Sequence, residues 1–390
     1  MSLQNNFENS DMEEKSGDIF SENSNITDNN STDNFIVEEP DDPVVLNKKK
    51  KTKKILFWIL ISFLSLLLIG IVTVFILIQV GKGSLLSTES MEFNPGSAIS
   101  DLDVEDEGKT IEYNGQKYTY NENMTAILCI GVDKESISDI AGVRGNNGQA
   151  DAVFLYAMDT ATGQSTIIPI SRDVMVDVDM YSGDGNYLSS SKKQLCLAFS
   201  YGDGLHSSCE NTVRSVSRLF YGLPINSYVA IDMKAIEILT EKVGGVPVIP
   251  DENFSYGGYS YYKGKEVILK GHIARVFVQG RNQYVLDSNL DRMARQKKFV
   301  SGFFSRAFAK TKENITFPVS VYNTTKKYTV TDIDVAEVSF LASCVVKNNI
   351  GLQYKSIEGN MVMGEKYAEY YANDESVYKT IVEVFYKPAS

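Results

Sequence analysis

The sequence predicts an α/β domain that follows one transmembrane helix and a disordered N-terminal tail. Three observations predict this organisation. The first residues are polar and acidic, an uncharged apolar run follows near residue 60, and strand patterns then alternate with helix patterns toward the end of the chain. With 390 residues, of which 43% are hydrophobic and 23% charged, most of the chain should fold around a core.

Composition excludes several classes of protein. The net charge of −12 argues against an overall basic nucleic-acid binder, so we expect no nucleic-acid partner. Two histidines, His206 and His272, are too few for a His-rich zinc site, and we expect both at the surface. The four cysteines form no C-x-x-C pair, which excludes a zinc ribbon and a thioredoxin motif.

The N-terminal tail, residues 1–54, is predicted to be disordered. Its first 46 residues hold twelve acidic side chains and one lysine, and they cannot bury enough apolar surface to offset the entropy of ordering. The tail ends in a lysine run that comprises Lys48, Lys49, Lys50, Lys51, Lys53 and Lys54. This run is the main topology signal of the chain.

Residues 55–80 carry no charge and predict a membrane-spanning helix. A helix of this length rises about 39 Å, enough to cross about 30 Å of hydrocarbon with some tilt. A cleaved signal peptide is the weaker alternative, because the run is long and far from Met1. The lysine run precedes the helix and only Lys82 follows closely, so the positive-inside rule places the N-terminus in the cytoplasm and residues 81–390 outside the cell membrane.

The extracellular part begins with a predicted stalk, residues 81–109, in which Gly, Ser and Asp are scattered without periodicity. The domain itself spans 110–390 and opens with a β-hairpin over 110–120, where Asn-Gly separates two alternating runs. Its core spans 123–310. Residues 311–390 form a closing segment, in which FPVSVYN predicts a strand and VAEVSFLASCVVKNN a helix.

The segment 151–173 predicts a second β-hairpin, and a symmetric register places Asp151 opposite Arg172 at its open end. An apolar strand, 126–132, ends at Asp133, and antiparallel pairing with the hairpin would bring this carboxylate to the same edge. Two carboxylates and a guanidinium suit a metal-bound phosphate, because hard cations take carboxylate oxygens and arginine binds phosphate bidentately. Strand-end charges that simply face solvent are an equally good account of this pattern alone.

Helix and strand patterns alternate farther along the chain. A helix is predicted over 207–222 with Ser208 as its N-cap, and a strand over 227–231. Asp232 caps a further helix that ends at a Gly-Gly pair. This alternation predicts layers of helix and sheet.

A basic cluster follows at 275–298. Gln279 and Arg281 would share one face if FVQGR is a strand. Arg292 and Arg295 lie three residues apart in a predicted helix and therefore share a side. The alternative is a solvated cationic face, which is the usual meaning of a charge run.

Together these pieces resemble the LytR-CpsA-Psr family of cell-wall ligases. The resemblance runs from about residue 110 to the end and includes the tail and the single anchor. Five motifs stand in the family's order and spacing: ILCIGVD at 127–133, QADAVFLYAMDTATGQSTIIPISRDVMV at 149–176, AFSYGDG at 198–204, YVAIDMKAIEILTEKVGGVPV at 228–248, and FVQGR with LDRMARQKKF at 277–299. Each motif is weak alone, and the set is specific.

The resemblance implies a three-layer α/β/α domain with a mixed central β-sheet and an apolar tunnel for the lipid tail of a polyprenyl carrier. It implies a rim where arginines and Mg²⁺ hold the pyrophosphate. It also implies an enzyme, a Mg-dependent phosphotransferase, which moves a glycopolymer as its phosphosugar from polyprenyl pyrophosphate to a peptidoglycan hydroxyl and forms a phosphodiester. Wall teichoic acids and capsules are the family's usual cargo.

The same resemblance implies the site residues. Asp133 and Asp151 match the metal-binding aspartates. The groups expected to bind pyrophosphate and lipid are Gln149, Arg172, Gln279, Arg281, Arg292, Arg295 and Gln296. The residues expected to be catalytic are Arg172, Asp173, Arg281 and Arg292. For Asp173 two roles stay open, a general base for the acceptor hydroxyl or a group that orients Arg172.

Two positions depart from the family pattern. Gln149 and Gln279 stand where the family usually has arginine, and each replaces a permanent charge by an amide. Arg144, in the preceding loop, is considered as a substitute for one of them. These departures keep two other functions open beside the ligase: a non-catalytic polyprenyl-phosphate binder or envelope regulator, and a hydrolase of lipid pyrophosphates.

The cysteines are expected to be structural. Cys129 and Cys344 are predicted as core thiols. Cys196 and Cys209 lie on the oxidising side of the membrane, so a disulfide between them and a pair of free buried thiols are the two alternatives.

Overall fold

The computed structural model describes residues 43–86, 104–105, 108–137, 144–145, 148–280, 288–348 and 351–389. The helices are α1 (Pro43–Leu86), α2 (Cys196–Ser200), α3 (His206–Leu219), α4 (Met233–Lys242), α5 (His272–Gln279), α6 (Ser288–Glu313), α7 (Phe317–Thr325), α8 (Val335–Lys347) and α9 (Asp374–Phe385). The strands are β1 (Val104–Glu105), β2 (Thr110–Tyr113), β3 (Gln116–Tyr120), β4 (Met124–Val132), β5 (Ala150–Asp159), β6 (Gln164–Ile170), β7 (Met175–Tyr181), β8 (Tyr187–Gln194), β9 (Ser227–Ile231), β10 (Val246–Val248), β11 (Phe254–Tyr256), β12 (Tyr259–Tyr261), β13 (Val267–Leu269), β14 (Thr329–Thr331), β15 (Gly351–Tyr354), β16 (Gly359–Met363), β17 (Ala368–Ala372) and β18 (Tyr386–Pro388).

A six-stranded sheet in the order β14-β9-β4-β5-β6-β15 forms the centre of the domain. The strands β4, β5 and β6 pair antiparallel in sequence order. At the flanks, β9 runs parallel to β4 and β15 runs parallel to β6, while β14 pairs antiparallel with β9. Parallel neighbours need long crossovers, and helices lie in the segments that supply them. The mixed central sheet predicted from the family resemblance is therefore confirmed.

Each central strand contributes to two cores, because side chains alternate across a sheet. On β4, Leu128 and Ile130 pack with residues of α2, α3 and α9. The intervening Ile127 packs on the opposite face, in a cluster that includes residues of α6 and α8. The sheet consequently lies between two helical layers, which is the predicted α/β/α arrangement.

A smaller apolar cluster lies beside the second layer. It joins α4, α5, the β10–β13 and β11–β12 pairs and residues 299–307 of α6. Phe277 of α5 meets Tyr261 edge-on, with ring centroids 5.2 Å apart. This packing holds the end of α5, and with it Gln279, beside the central sheet.

The apolar run lies in α1, which begins earlier than predicted. Residues 43–54, expected in the disordered tail, are helical. Lysine is a good helix former and the apolar span supplies a long helix to propagate from, so the helix extends through the lysine run. Among the described residues, the segment Lys50–Leu86 is long and apolar enough to cross a membrane, which suits a membrane anchor.

The same helix ends later than predicted. It continues to Leu86, so residues 81–86 are helical rather than part of a stalk. Leu85 is fully buried against the domain, which explains why the helix persists beyond the apolar span. Residues 1–42 and 87–103, which make up most of the predicted tail and stalk, lie outside the described residues.

Both predicted hairpins are confirmed. The β2–β3 hairpin turns at Asn114 and Gly115, with φ of 52° and 75°, and these positive values explain the Asn-Gly pair. In the β5–β6 hairpin Val153 pairs with Ile170, so the register extends to place Asp151 opposite Arg172 as predicted.

One strand prediction is wrong, and the strand considered as a possibility for a second segment does not form. FPVSVYN begins α7, where Pro318 stands in the first turn and its missing N–H removes no helical hydrogen bond. FVQGR is not a strand, because Phe277 and Gln279 lie in the last turn of α5. Alternation in so short a segment does not separate strand from helix, and the small cluster around Phe277 decides for helix.

The predicted helix boundaries after β8 agree better with the structure. Asp232 caps α4 through a hydrogen bond from the N–H of Ala235, as predicted. Helix α3, however, begins at His206 instead of after Ser208. The Ser208 hydroxyl lies inside the first turn, where it donates to the carbonyl of Phe199 at 2.6 Å and stabilises the preceding loop.

All four cysteines are free. The Cys196–Cys209 disulfide is therefore not formed, and the alternative of two buried thiols holds. Cys344 is buried as predicted, while Cys129 is partly exposed to an internal cavity. His206 and His272 are exposed, as expected.

Candidate functional site

A cavity of about 470 Å³ lies between the central sheet and the helices α6, α7 and α8. Its interior is apolar on the sheet side and on the helix side. The sheet contributes Ile127, Cys129, Phe154, Tyr156, Met158 and Ile167, and the helices contribute Val300, Phe303, Phe304, Ala307, Phe308, Val321, Val338, Leu341, Ala342 and Val345. Such a lining suits a hydrocarbon chain.

One end of the cavity is polar and charged, and we call it the mouth. The residues of the mouth are Asp133, Asp151, Arg172, Gln279, Arg292 and Gln296. All six are in the set that the sequence predicted. They come from the ends of β4, β5 and β6 and from α5 and α6, so five elements distant in sequence converge here.

Arg172 and Asp151 are the central pair of the mouth. The Nη1 of Arg172 contacts Oδ1 of Asp151 in an ion pair, as the hairpin register predicts. The Nη2 of the same guanidinium donates to Oε1 of Gln149 and lies 3.2 Å from Sγ of Cys196. Gln149 thus holds Arg172 rather than providing a charge of its own.

Asp173 lies behind Arg172 and outside the cavity lining. Its side chain is 6% exposed, and its Oδ1 is 3.6 Å from Nε of Arg172 and accepts a hydrogen bond from Gln194. The backbone carbonyl of Asp173 accepts from the N–H of Tyr370, which ties this turn to the β16–β17 hairpin. These contacts fit the orienting role for Asp173, and the general-base role stays a prediction.

Arg292 brings a second guanidinium to the mouth. Its Nη2 is 3.9 Å from Oδ1 of Asp151 and 3.5 Å from the carbonyl oxygen of the same residue. The residue is 8% exposed and lines the cavity, so α6 holds this charge in a largely buried position beside the cavity. Asp151 therefore lies between two arginines.

Asp133 is held by a chain of polar contacts. The Nε2 of Gln279 donates to Oδ1 of Asp133 at 2.9 Å, and Oε1 of Gln279 accepts from Nε of Arg275 at 3.1 Å. Arg275 also forms a two-pronged ion pair with Glu135, and this pair holds the pKa of the exposed Glu135 carboxyl below its usual value. Gln279 is thus an oriented amide that links Asp133 to a nearby guanidinium.

Arg295 and Gln296 have different surroundings despite their adjacent positions. Gln296 lines the cavity and donates to the carbonyl of Val278 at 3.2 Å. Arg295 lies outside the lining, where Nη1 pairs with Glu252 at 2.7 Å and the guanidinium stacks over the Phe254 ring at 4.5 Å. The structure therefore does not bring Arg295 to the mouth, although it shares a helix with Arg292.

Two further arginines considered for the site, Arg281 and Arg144, are not among the described residues of the mouth. Arg281 lies outside the described residues. Arg144 does not approach either glutamine, because its Nη1 lies 3.4 Å from the Tyr201 carbonyl and 3.4 Å from the Ser207 hydroxyl. Arg144 is also not among the residues that line the cavity, and its role as a substitute for a missing arginine stays a prediction.

Sequence reasoning missed Arg275 and Cys196. Arg275 precedes Gln279 by four residues, which is the spacing of neighbours on a helix, and this signal does not appear when FVQGR is considered as a strand. Cys196 begins α2 and is fully buried, and this burial raises the pKa of its thiol although Arg172 acts in the opposite direction. No local sequence pattern predicts the contact between Cys196 and Arg172.

The two carboxylates of the mouth suit a hard divalent cation. Asp133 and Asp151 supply oxygen ligands beside a space that a phosphate could enter. Within the described residues there is no group of three or more His, Cys, Asp or Glu that could form a complete protein cage. This donor set fits Mg²⁺, which usually takes one or two carboxylates and completes its shell with phosphate oxygens and water.

The sequence matches a known family over most of its length. Residues 90–384 match the model of the LytR_cpsA_psr family. The teichoic acid transferase TagU of Enterococcus faecalis, described as a polyisoprenyl-teichoic acid–peptidoglycan transferase, is 27% identical over 191 residues, which are 48% of this chain and 55% of the relative. The protein of the same description from Oceanobacillus iheyensis is 26% identical over 262 residues, 66% of this chain and 74% of the relative. The chain thus matches little more than half the length of the first relative.

Solved structures share the fold. B. subtilis TagV superposes with a TM-score of 0.52 at 21% identity and covers 67% of this chain and 96% of its own. The protein gbs0355 of Streptococcus agalactiae gives a TM-score of 0.55 at 16% identity, with 67% and 87% coverage. A structure described as TagT bound to LI-WTA gives 0.50 at 16% identity, with 67% and 89% coverage. At these identities the likeness concerns the fold, and it confirms the α/β/α class.

Proposed function

We propose a function for this chain on the premise that it belongs to the LytR-CpsA-Psr family. It transfers a glycopolymer, as its phosphosugar, from a polyprenyl-pyrophosphate carrier to a hydroxyl of peptidoglycan and forms a phosphodiester. Relatives described as teichoic acid transferases acting between a polyisoprenyl carrier and peptidoglycan support this reaction. A teichoic acid is accordingly the first cargo to test, and a capsular polymer the second.

One observation carries the proposal: an apolar cavity of about 470 Å³ has two arginines and two carboxylates at its mouth. A polyprenyl pyrophosphate has the same division, with a hydrocarbon tail and a multiply charged head. The apolar lining keeps the tail out of water once the head has left the bilayer, where exposure of the tail would cost about 25 cal/mol per Å². The head then lies beside Arg172 and Arg292, whose N–H groups match phosphate oxygens.

The arginines stabilise the charge that develops during transfer. The acceptor hydroxyl oxygen forms a bond to the phosphorus that carries the sugar, its proton passes to the leaving phosphate or to water, and the bond to the bridging oxygen breaks. Polyprenyl phosphate leaves, and negative charge accumulates on it as the bridge breaks. Arg172 and Arg292 are already oriented toward this region by Gln149, Asp173 and Asp151, so they need little reorganisation at the moment of reaction.

Asp133 and Asp151 would hold a Mg²⁺ ion against the pyrophosphate. When bound, this ion supplies positive charge that neutralises the phosphate oxygens. In the structure Asp151 pairs with both arginines, so the incoming head group would take over part of these contacts. Gln279 keeps Asp133 in place throughout, because its amide binds one carboxylate oxygen without adding a charge.

We further infer the topology of the chain. The lysine run marks the cytoplasmic end of α1, which places the tail inside the cell and the domain at the outer surface of a single-pass membrane protein. This arrangement puts the cavity on the side where both peptidoglycan and the exported lipid carrier are found.

The test measures release of polyprenyl phosphate by the full chain in phosphatidylglycerol–phosphatidylcholine vesicles with Mg²⁺. A synthetic lipid pyrophosphate-linked sugar is the donor, and peptidoglycan fragments are added or withheld. We expect release that depends on the acceptor and that falls at least about 100-fold in Arg172→Ala, since a charge-stabilising donor is worth this much. Arg306→Ala, an exposed arginine of α6 outside the cavity lining, is the matched control.

Other outcomes would assign a different function. Release without acceptor identifies a lipid pyrophosphate hydrolase. Tight donor binding without release under any condition identifies a non-catalytic binder, which the glutamines at 149 and 279 favour because each lacks the charge of the family's arginine.

A further inference from the structure

The last turns of α1 are part of the domain. Ile78, Gly81 and Leu85 lie three and four residues apart and form one stripe on the helix. Ile78 is partly buried, whereas Gly81 and Leu85 are buried. The neighbouring Lys82 and Gly83 are exposed, so the contact is confined to this stripe.

The stripe packs on α8 at very short range. A Cβ atom at Gly81 would overlap the backbone carbonyl of Ala336, so the two helices touch backbone to backbone at this point. One turn later, the Ser84 hydroxyl donates to Oε1 of Glu337, the residue whose carboxylate also caps α8. A glycine at position 81 is therefore required by close approach and not by backbone conformation.

Helix α8 separates the stripe from the cavity. Phe340 and Cys344 belong to the apolar cluster that also contains Leu85. On another side of the same helix, Val338, Leu341 and Val345 recur at helical spacing and line the cavity. One helix thus contacts the anchor on one side and the lipid cavity on the other.

We propose that docking of the α1 stripe on α8 positions the cavity to take its lipid donor directly from the bilayer. The stripe begins within the predicted span and ends five residues beyond it, so no flexible connection separates the membrane from the cavity wall. The docked helix holds the cavity close to the membrane surface, where the donor is concentrated. The proposal rests on the proposed function, because it presupposes a membrane-resident donor.

The test compares two donors and two matched variants of the full chain in phosphatidylglycerol–phosphatidylcholine vesicles. Gly81→Leu introduces a side chain that α8 cannot accommodate, whereas Gly83→Leu introduces the same side chain where nothing lies within 4 Å. One donor is a long-chain lipid embedded in the vesicles, and the other is a short-chain, water-soluble analogue. We expect Gly81→Leu to lower transfer from the embedded donor about tenfold through loss of effective concentration, and to leave the soluble donor unchanged.

Three results would overturn the proposal or its premise. Equal rates for both variants with the embedded donor would show that docking does not matter. Equal losses on both donors in Gly81→Leu would show a general effect on the domain instead of positioning. Wild-type protein that is inactive with both donors would refute the proposed function, and photo-crosslinking of the embedded lipid into the cavity would then replace turnover as the readout for docking.

A labelling experiment measures docking itself. Leu85→Cys places a thiol in the buried stripe, and Gly83→Cys places one on the exposed side of the same helix. We expect a water-soluble maleimide to label Cys at 83 rapidly and Cys at 85 at least about tenfold more slowly, as burial protects a thiol. Adding Gly81→Leu should abolish this difference, and equal labelling in its absence would contradict the docked arrangement.

Discussion

The two faces of the central sheet show what separates stability from function in this protein. On one face, Leu128, Ile130 and Leu155 are fully or almost fully buried against α2, α3 and α9. On the other face, Ile127 and Phe154 line a cavity that α6, α7 and α8 cover without filling. Proteins normally fill their interiors, so an apolar void of about 470 Å³ beside one face is a costly feature that points to a ligand.

The largest expected effect separates the two faces by stability. Leu155→Ala, on the closed face, should lower the free energy of unfolding by about 3 kcal/mol, because it opens a new cavity in a filled core. Leu341→Ala, on the open face, enlarges a space that already exists. Its loss in the free energy of unfolding should be about half as large. Denaturant unfolding of the two variants measures this difference, and equal losses would contradict the contrast.

Filling the open face tests its capacity to bind lipid. Ala307→Phe projects a ring into the cavity, whereas Ala309→Phe places the same ring on the exposed side of α6. We expect the first variant to weaken binding of a long-chain polyprenyl phosphate about tenfold, since lost burial of two methylenes alone removes about this much. Calorimetric titration with the lipid compares the two variants. Unchanged affinity in Ala307→Phe would place the hydrocarbon elsewhere.

The polar mouth offers a test of smaller effect. Gln279→Leu removes the amide that holds Asp133 and should lower the affinity for Mn²⁺, a spectroscopic substitute for Mg²⁺, about tenfold, as loss of a supporting hydrogen bond typically does. Gln353→Leu, at an exposed position of the edge strand β15, is the control. Electron paramagnetic resonance of free Mn²⁺ gives both affinities. Equal affinities for Mn²⁺ in the two variants would argue against Asp133 as a ligand of the proposed metal site.

The smallest expected effect on stability concerns the charge of Asp179 on β7. Burial would raise the pKa of Asp179, but hydrogen bonds and charge from Arg218 and Arg214 outweigh burial and hold this pKa below its usual value. A depressed folded-state pKa stabilises the protein above the unfolded pKa of about 3.9, and this contribution is lost as pH falls through the folded value.

Asp179→Asn should therefore lower stability at pH 7 by about 1 kcal/mol, a modest figure because both arginines are partly exposed and screened by solvent. The difference from wild type should shrink as the pH falls below the unfolded-state pKa of about 3.9 and then through the lower pKa of the folded Asp179 carboxyl. Thermal unfolding at pH 7 and at a pH below about 4 measures this difference in stability. Asp184→Asn, at an exposed position, is the control. A difference that stays constant with pH would show that the charge is not responsible.

The sequence predicted the part of the site that depends on local pairing. The turn of the β5–β6 hairpin defines its register, and the register alone brings Asp151 opposite Arg172. The strand that ends at Asp133 pairs with the same hairpin, so a short stretch of chain predicts three residues of the mouth. Motif spacing then identified Arg292 and Gln296, because the family resemblance carries their positions.

The sequence did not predict the features of the site that depend on contacts between residues distant in the chain. Arg292 and Arg295 share a side of α6 by spacing, yet only Arg292 reaches the mouth, because Glu252 and the Phe254 ring engage Arg295 from another element. Residues 277–279 form the end of a helix through packing in the small cluster, and this helix links Gln279 to Arg275. Short segments have weak local preferences, so their neighbours determine their conformation.

By itself the sequence determined the anchor, the alternation of strands and helices, the two hairpins and the family. These features depend on composition, period and turn chemistry, which act over a few residues. Only the tertiary structure decided that the sheet has one filled and one open face, that Gln149 and Gln279 act as holders of Arg172 and Asp133, and that Gly81 lies against Ala336. Those outcomes depend on which surfaces meet in space, and residues far apart in the chain meet only after the whole domain has packed.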